Sequence, residues 1–342
     1  MNIPVGRNLV VLCLVSMGLG LAASPAAAEA IIAGHYAVSE FPLIPTSVIE
    51  SIGENYNIYY AHTSHGSQIM TGLTIVYDED NTYVPPAFHE VGDDLGGYGD
   101  VSWVPDVRAY LDAHPECNMA MFSWCGGVSD NTEEGINIYL EAMETLEADY
   151  PGVIFIYMTG HLDGSGPEGN LYVRNNQIRT YCYAHNKILF DFADIESYDP
   201  DGVWYPDETD ACAWCETWCN AYPEFGCDCG GCAHSHCYNC YRKGKAWWWM
   251  MARISGWTSS GCNCGVKGDM DGNGLAAPLD VAYLVDYVYK QLDARVPPPN
   301  CPYEVGDTDC SDLVDPIDVA YLVTYIYKSQ DALCNGCNPP AK

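Results

Sequence analysis

The sequence predicts an α/β domain, a parallel sheet covered by helices, followed by a small all-α module. Three observations carry that reading. From about residue 31 to 257, short apolar runs alternate with amphipathic stretches, the pattern of strands linked by helical crossovers. Between 205 and 241 cysteines crowd so densely that the stretch reads as an insertion held by cross-links, because it has too little apolar sequence to order itself. Beyond residue 262 a loop-and-helix unit occurs twice.

Residues 1–29 read as a processing signal: Arg7 is followed by an apolar run over 9–21 and by the small residues Ala26, Ala27 and Ala28. The run is broken by glycine and serine and is short for a membrane span, and no later segment is long and apolar enough for one. The chain is therefore expected to be secreted, acting outside the cell or attached to its surface. A formal net charge of -32 argues against nucleic acid and anionic membrane as partners, because a polyanion repels this surface. Of eighteen cysteines, Cys13 leaves with the signal; the remaining seventeen suit an oxidising compartment, and an odd count leaves at least one thiol unpaired. Cys125 is the first candidate for that thiol, and Cys117 and Cys182 are a candidate pair.

The larger domain is bounded at 30–258. Strands are predicted at 57–61, 119–123, 153–159 and 188–192, and helices at 132–149, 170–186 and 243–255. Ligands of parallel sheets bind beyond the carboxyl ends of the strands. Those ends carry His62, Thr63, Ser64, His65 and Ser67 after the first, Ser123, Trp124, Cys125, Gly126 and Gly127 after the second, His161 and Asp163 after the third, and Asp194 after the fourth. Hydroxyls, imidazoles, glycines and carboxylates thus converge on one edge, which is expected to be the active site. In the insertion 205–241, Cys212, Cys215, Cys219, Cys227, Cys229, Cys232, Cys237 and Cys240 read as disulfides; the alternative is zinc, since 212/215 and 237/240 have ligand spacing. Trp204, Trp214 and Trp218 either pack on those cross-links or stack on a sugar ring.

In the C-terminal unit, 262–342, the run Pro278-Leu279-Asp280-Val281-Ala282-Tyr283-Leu284 recurs as Pro316-Ile317-Asp318-Val319-Ala320-Tyr321-Leu322. Before the first copy Asp269, Asp271 and Asn273 hold loop positions 1, 3 and 5, and Asp280 closes the loop at 12; before the second the set is Asp307, Asp309, Ser311 and Asp318. Oxygen ligands at this spacing wrap a calcium ion. Asp312 stands where the first loop has Gly274, so the second Ca²⁺ site is expected to be the weaker. Six further cysteines, from Cys262 to Cys337, are expected to pin this small module.

The duplicated loops, closed by aspartate where the ordinary EF-hand has glutamate, resemble a type I dockerin. That resemblance implies two calcium ions and a cohesin-like scaffold or cell-surface protein as partner. The larger domain resembles the SGNH (GDSL-like) hydrolases, which implies a flavodoxin-like three-layer fold and an esterase site. In that family the nucleophilic serine follows the first strand, as Ser64 does here; the oxyanion-hole residues follow a later strand, as Ser123, Cys125 and Gly126 do; and the histidine precedes the last helix, as His234 and His236 do. The family's Gly-Asp-Ser, its Gly-x-Asn-Asp and an aspartate three residues before the histidine are missing; Asp228 is the nearest upstream carboxylate. The chemistry implied is proton removal from Ser64 by a histidine, attack on an ester carbonyl and capture of the oxyanion by backbone N–H groups. His161 and Asp163 would face the substrate, and Ser67 is the rival nucleophile. The expected function is that of a carbohydrate esterase removing acyl groups from polysaccharide. Two alternatives stand beside it: a non-catalytic carbohydrate-binding or surface protein on the same fold, and a metal-dependent hydrolase using His62, His65, His161 and Asp163.

Overall fold

The computed structural model of the chain describes residues 30–257, 267, 268, 270, 276–290, 306, 308 and 316–328. The first of these spans is an α/β domain whose six strands are all parallel: β1 (Ile31–Ala33), β2 (Asn57–Ala61), β3 (Ala87–Val91), β4 (Met119–Phe122), β5 (Ile154–Met158) and β6 (Ile188–Phe190). Their spatial order is β1-β6-β5-β4-β2-β3. Leaving β1 aside, that is the flavodoxin-like order, with β1 added at the far edge. The four predicted strands form, each within two residues of its expected bounds. They are legible because a parallel strand covered on both faces is apolar throughout: β4 is buried at all four positions and β2 at all but its first. The other two escape that criterion. β1 is three residues long, and β3 is an edge strand with exposed and half-buried positions.

Helices cover both faces. One face carries α1 (His35–Glu40), α2 (Thr46–Asn55), α3 (Ser67–Glu79) and the long terminal helix of the domain; the other carries α4 (Val104–Ala113), α5 (Glu133–Asp149) and α6 (Asn170–Ala184). α5 starts where its sequence says: the Thr132 hydroxyl accepts the Gly135 N–H at 3.0 Å, and Glu133 and Glu134 lie at the positive end of the helix dipole. After β6 come α7 (Phe192–Ser197), α8 (Ala213–Ala221) and α9 (Cys237–Ile254). α9 begins six residues before the predicted 243, because His236 caps it through Nδ1 and two disulfides anchor its first turn. Its Trp247 and Trp248 are wholly buried and Trp249 nearly so, as befits a helix wedged between the sheet and its neighbours. α3 and α9 cross at Gly72 and Gly244, where a Cβ on either residue would run into the other helix's backbone.

The insertion is cross-linked as Cys212–Cys215, Cys219–Cys227, Cys229–Cys237 and Cys232–Cys240. These pairings use up the sulfurs on which the zinc alternative depended. Cys117, Cys125 and Cys182 are free thiols, so the expected Cys117–Cys182 pair is not formed: both are buried, and the Cys117 thiol lies 3.4 Å from the Met119 carbonyl. Toward the C-terminus, α10 (Pro278–Lys290) and α11 (Pro316–Lys328) pack together around Leu284, Leu322 and Met270, a cluster separate from the main core. Loop residues Asp269, Asp271, Asn273, Asp307, Asp309 and Ser311, and the signal segment, lie outside the described residues. No helix among the described residues is long and apolar enough to cross a membrane.

Candidate active site

The chain runs from β2 outward to β3 on one side and to β4 on the other, and the crevice between the ends of β2 and β4 is the topological switch point of the sheet. Ser64 and His65 follow β2 there, and Cys125 follows β4. The Cys125 loop is firmly set. Trp124 is buried and donates its indole N–H to the Met158 carbonyl at 2.8 Å, and the Asn131 side-chain amide holds the Gly127 carbonyl at 2.7 Å. Gly126 has φ +88°, a conformation that suits glycine, and a Cβ placed there would meet nothing within 4 Å, so space beside the thiol is open.

His65 is the centre of the site. Its Nδ1 lies 3.2 Å from the Cys125 sulfur and its Nε2 3.0 Å from Asp210 Oδ2. A carboxylate only accepts, so Nε2 carries the proton and Nδ1 presents its lone pair to the thiol. The Ser64 hydroxyl stands 3.4 Å from the same sulfur. His161 stacks face to face on His65, with centroids 3.7 Å apart and planes within 1°, and His234 stacks at 4.7 Å. His161 gives its Nδ1 proton to the Leu162 carbonyl at 2.8 Å. Burial pushes the His65 imidazole down to about 4; the hydrogen bond to Asp210 opposes the shift and the neighbouring imidazoles add to it. His65 is thus a neutral base at neutral pH.

Of the residues expected to act, Ser64, Cys125, Gly126, His161 and His234 come together here. The other expected residues have different surroundings. His236 caps α9, and burial lowers the pKa of its imidazole. Ser123 is buried and donates to Asp94 at 3.2 Å; Ser67 gives its hydroxyl proton to the Ser64 carbonyl; Asp163 accepts the Ser165 N–H. Asp228 accepts the Gly230 N–H in an exposed loop. His62 pairs with Glu90 at 3.0 Å, on the β3 side. Sequence reasoning missed Asp210. It belongs to the insertion, 145 residues from His65, and is delivered by a short ladder in which its N–H reaches the Leu162 carbonyl and Gly164 N–H reaches the Glu208 carbonyl. No local motif marks it; its place in an acidic run directly before Cys212 is the only signal. Of the three tryptophans, Trp214 is buried and Trp218 packs on Tyr222, whereas Trp204 lines a cavity with Asp163, Tyr172, Arg179, Asp194 and Glu208.

His65, His161 and Asp210 also have ligand atoms within 4.8 Å of one another. Imidazole lone pairs lie in the ring plane, and two parallel stacked rings direct theirs side by side, so a common ion requires one ring to turn. Compared with known proteins, the chain matches no family model and no curated protein.

Proposed function

We propose that this protein is a secreted acyl-transfer hydrolase acting on ester or thioester carbonyls, with Cys125 as nucleophile, His65 as base and Asp210 orienting the base. The observation that carries the reading is the unbroken line of contacts from Cys125 Sγ to His65 Nδ1 and from His65 Nε2 to Asp210. Nucleophile, base and orienting acid within hydrogen-bond reach are what covalent acyl transfer requires. His65 takes the thiol proton, the thiolate adds to the carbonyl, and backbone N–H groups around Ser64 and Gly126 would hold the developing oxyanion. His65 then returns the proton to the leaving alcohol, and water, deprotonated by the same imidazole, releases the acid. The serine mechanism is the second reading, favoured by the position of Ser64 after β2 and by its 3.4 Å contact with the thiol.

The test is turnover of activated aryl acetates. Cys125→Ala is expected to abolish it and Ser64→Ala to leave most of it. The reverse result makes Ser64 the nucleophile. Wild-type silence on aryl esters and on acetylated xylan and pectin removes the enzyme reading in favour of a binding protein. Turnover lost to a chelator and restored by a divalent ion would transfer the chemistry to the His65, His161 and Asp210 group.

The same proposal assigns the C-terminal unit to a calcium-dependent, dockerin-like module that attaches the hydrolase to a cohesin-like partner, with polysaccharide as the substrate carrier. In its support, Asp280 and Asp318, the residues that close the two loops at position 12, are both wholly buried at the starts of α10 and α11. Surface aspartates are seldom so buried, whereas a closing ligand must be. Asp269, Asp271 and Asn273, and Asp307, Asp309 and Ser311, would complete the oxygen sets.

A further inference from the structure

Each of the three stacked imidazoles is carried by a different part of the chain, and all three parts are tied to one ammonium group. Lys243, on α9, has no exposed side chain at all. Its Nζ donates to Glu196 Oε1 at 2.6 Å and to Gln68 Oε1, and lies 3.8 Å over the Phe192 ring. From these two acceptors the network reaches outward. The second oxygen of Glu196 accepts the N–H of Leu162 at 2.8 Å, the residue after His161. The side-chain amide of Gln68 donates to the carbonyl of Ala233 at 2.6 Å, the residue before His234. Gln68 itself is three residues after His65, and its N–H returns to the His65 carbonyl at 3.0 Å. Asn239 closes the set, donating to both Glu196 and Ser235.

Geometry shows why something must hold these groups. His234 has φ +59° and sits exposed in a turn closed by the Cys232–Ser235 bridge, and His161 lies in an irregular segment beyond β5. Neither lies in a helix or strand, and the turn of His234 is tied to α9 by the Cys232–Cys240 disulfide. A fully buried charge is tolerated only when paired and hydrogen-bonded, and Lys243 touches none of the three imidazoles through any hydrogen bond.

We propose that Lys243, through Glu196 and Gln68, is a positioning residue that sets His161 and His234 against His65 and so keeps the base aligned on the Cys125 thiol. The role in alignment rests on the thiol–imidazole reading given above; the tethering of the three rings does not. Burial lowers the Lys243 ammonium to about 8, with Glu196 opposing that shift, so Lys243 is still protonated at neutral pH.

Lys243→Met alone would strand a buried carboxylate, so the variant of choice is Glu196→Gln with Lys243→Met, which keeps side-chain lengths and removes both charges. In the full chain, the ring resonances of His65, His161 and His234 are read by NMR, assigned by single His→Asn variants. His114 and His185 serve as references, since they precede β4 and β6 at the opposite edge of the sheet. The double variant is expected to unfold cooperatively, to displace all three site resonances while leaving the references in place, and to slow iodoacetamide alkylation on the Cys125 peptide about tenfold or more, as small misplacements do. A folded double variant with the three resonances unmoved overturns the proposal. If the double variant does not fold, Gln68→Leu decides: it cuts the Ala233 tether and spares the Leu162 one, so displacement of His234 with His161 in place supports the proposal, and any other pattern overturns it. A wild-type Cys125 that alkylates with the pH profile of an ordinary thiol would defeat the thiol–imidazole reading while the resonances still report on the tether.

Discussion

His65 is only 6% exposed, and it has a thiol at one nitrogen, a carboxylate at the other and imidazoles against its faces. Its imidazole is lowered to about 4 in the fold, against about 6.5 in an unfolded chain. Between those values the unfolded chain binds a proton that the fold does not, so stability rises with pH across the window and is lost as pH falls from about 6.5 to 4. Two and a half pKa units, reduced for residual solvent screening, correspond to about 2–3 kcal/mol. A His65→Gln variant lacks this dependence. The free energy of urea unfolding of the wild type, minus that of the variant, should therefore grow by about that amount from pH 4 to pH 7. A difference that stays constant across the window would show that His65 is not held neutral by its surroundings. At this scale the sequence disclosed the residue types at the strand ends but not their partners. Order along the chain pairs Ser64 with His234 or His236, whereas the nitrogen facing a nucleophile belongs to His65, directly next to Ser64 in sequence and 60 residues from Cys125.

Among the elements, the contact of α3 with α9 governs the site most directly, since α3 begins two residues after His65 and α9 begins one residue after its cap, His236. The helices approach so closely at Gly72 and Gly244 that a Cβ on Gly244 would overlap the backbone of Gly72 and Leu73. Backbone cannot yield as a side chain can, so Gly244→Ala must part the helices. It is expected to cost about 1–3 kcal/mol, seen as a lower urea midpoint with an unchanged slope. An unaltered midpoint would mean that the helices are less closely joined than described. The glycines were visible in the sequence, but a glycine in a helix signals close approach only once its neighbour is known. β3 illustrates the same limit, because its polar residues make sense only at the edge of the sheet.

At the scale of the whole molecule, the described residues form two cores: a large one in the α/β domain and a small one between α10 and α11. Among the described residues, the small cluster buries Met270, Leu284 and Leu322 fully, Asp280 and Asp318 are buried as well, and a bound ion would add support to so small a unit. If calcium supplies that support, scanning calorimetry of the full chain should show two transitions, and a chelator should lower or erase the weaker one while the main transition stays in place. Identical traces with and without chelator would remove the calcium reading and leave the hydrolase proposal untouched.

What the sequence determined by itself is local: four strands, marked by apolar runs that only a doubly covered parallel sheet explains, the helix that Thr132 caps, a cross-linked insertion, and the chemistry-bearing loops at one edge. What only the tertiary structure decided is partnership. The chain order is silent on which base meets which nucleophile, because Cys125, His65, Asp210 and Lys243 come from separate segments whose meeting depends on sheet order and helix packing. A hydrogen bond selects its partner within about 3 Å, and positions so fine are products of the packed molecule, not of any one stretch of it.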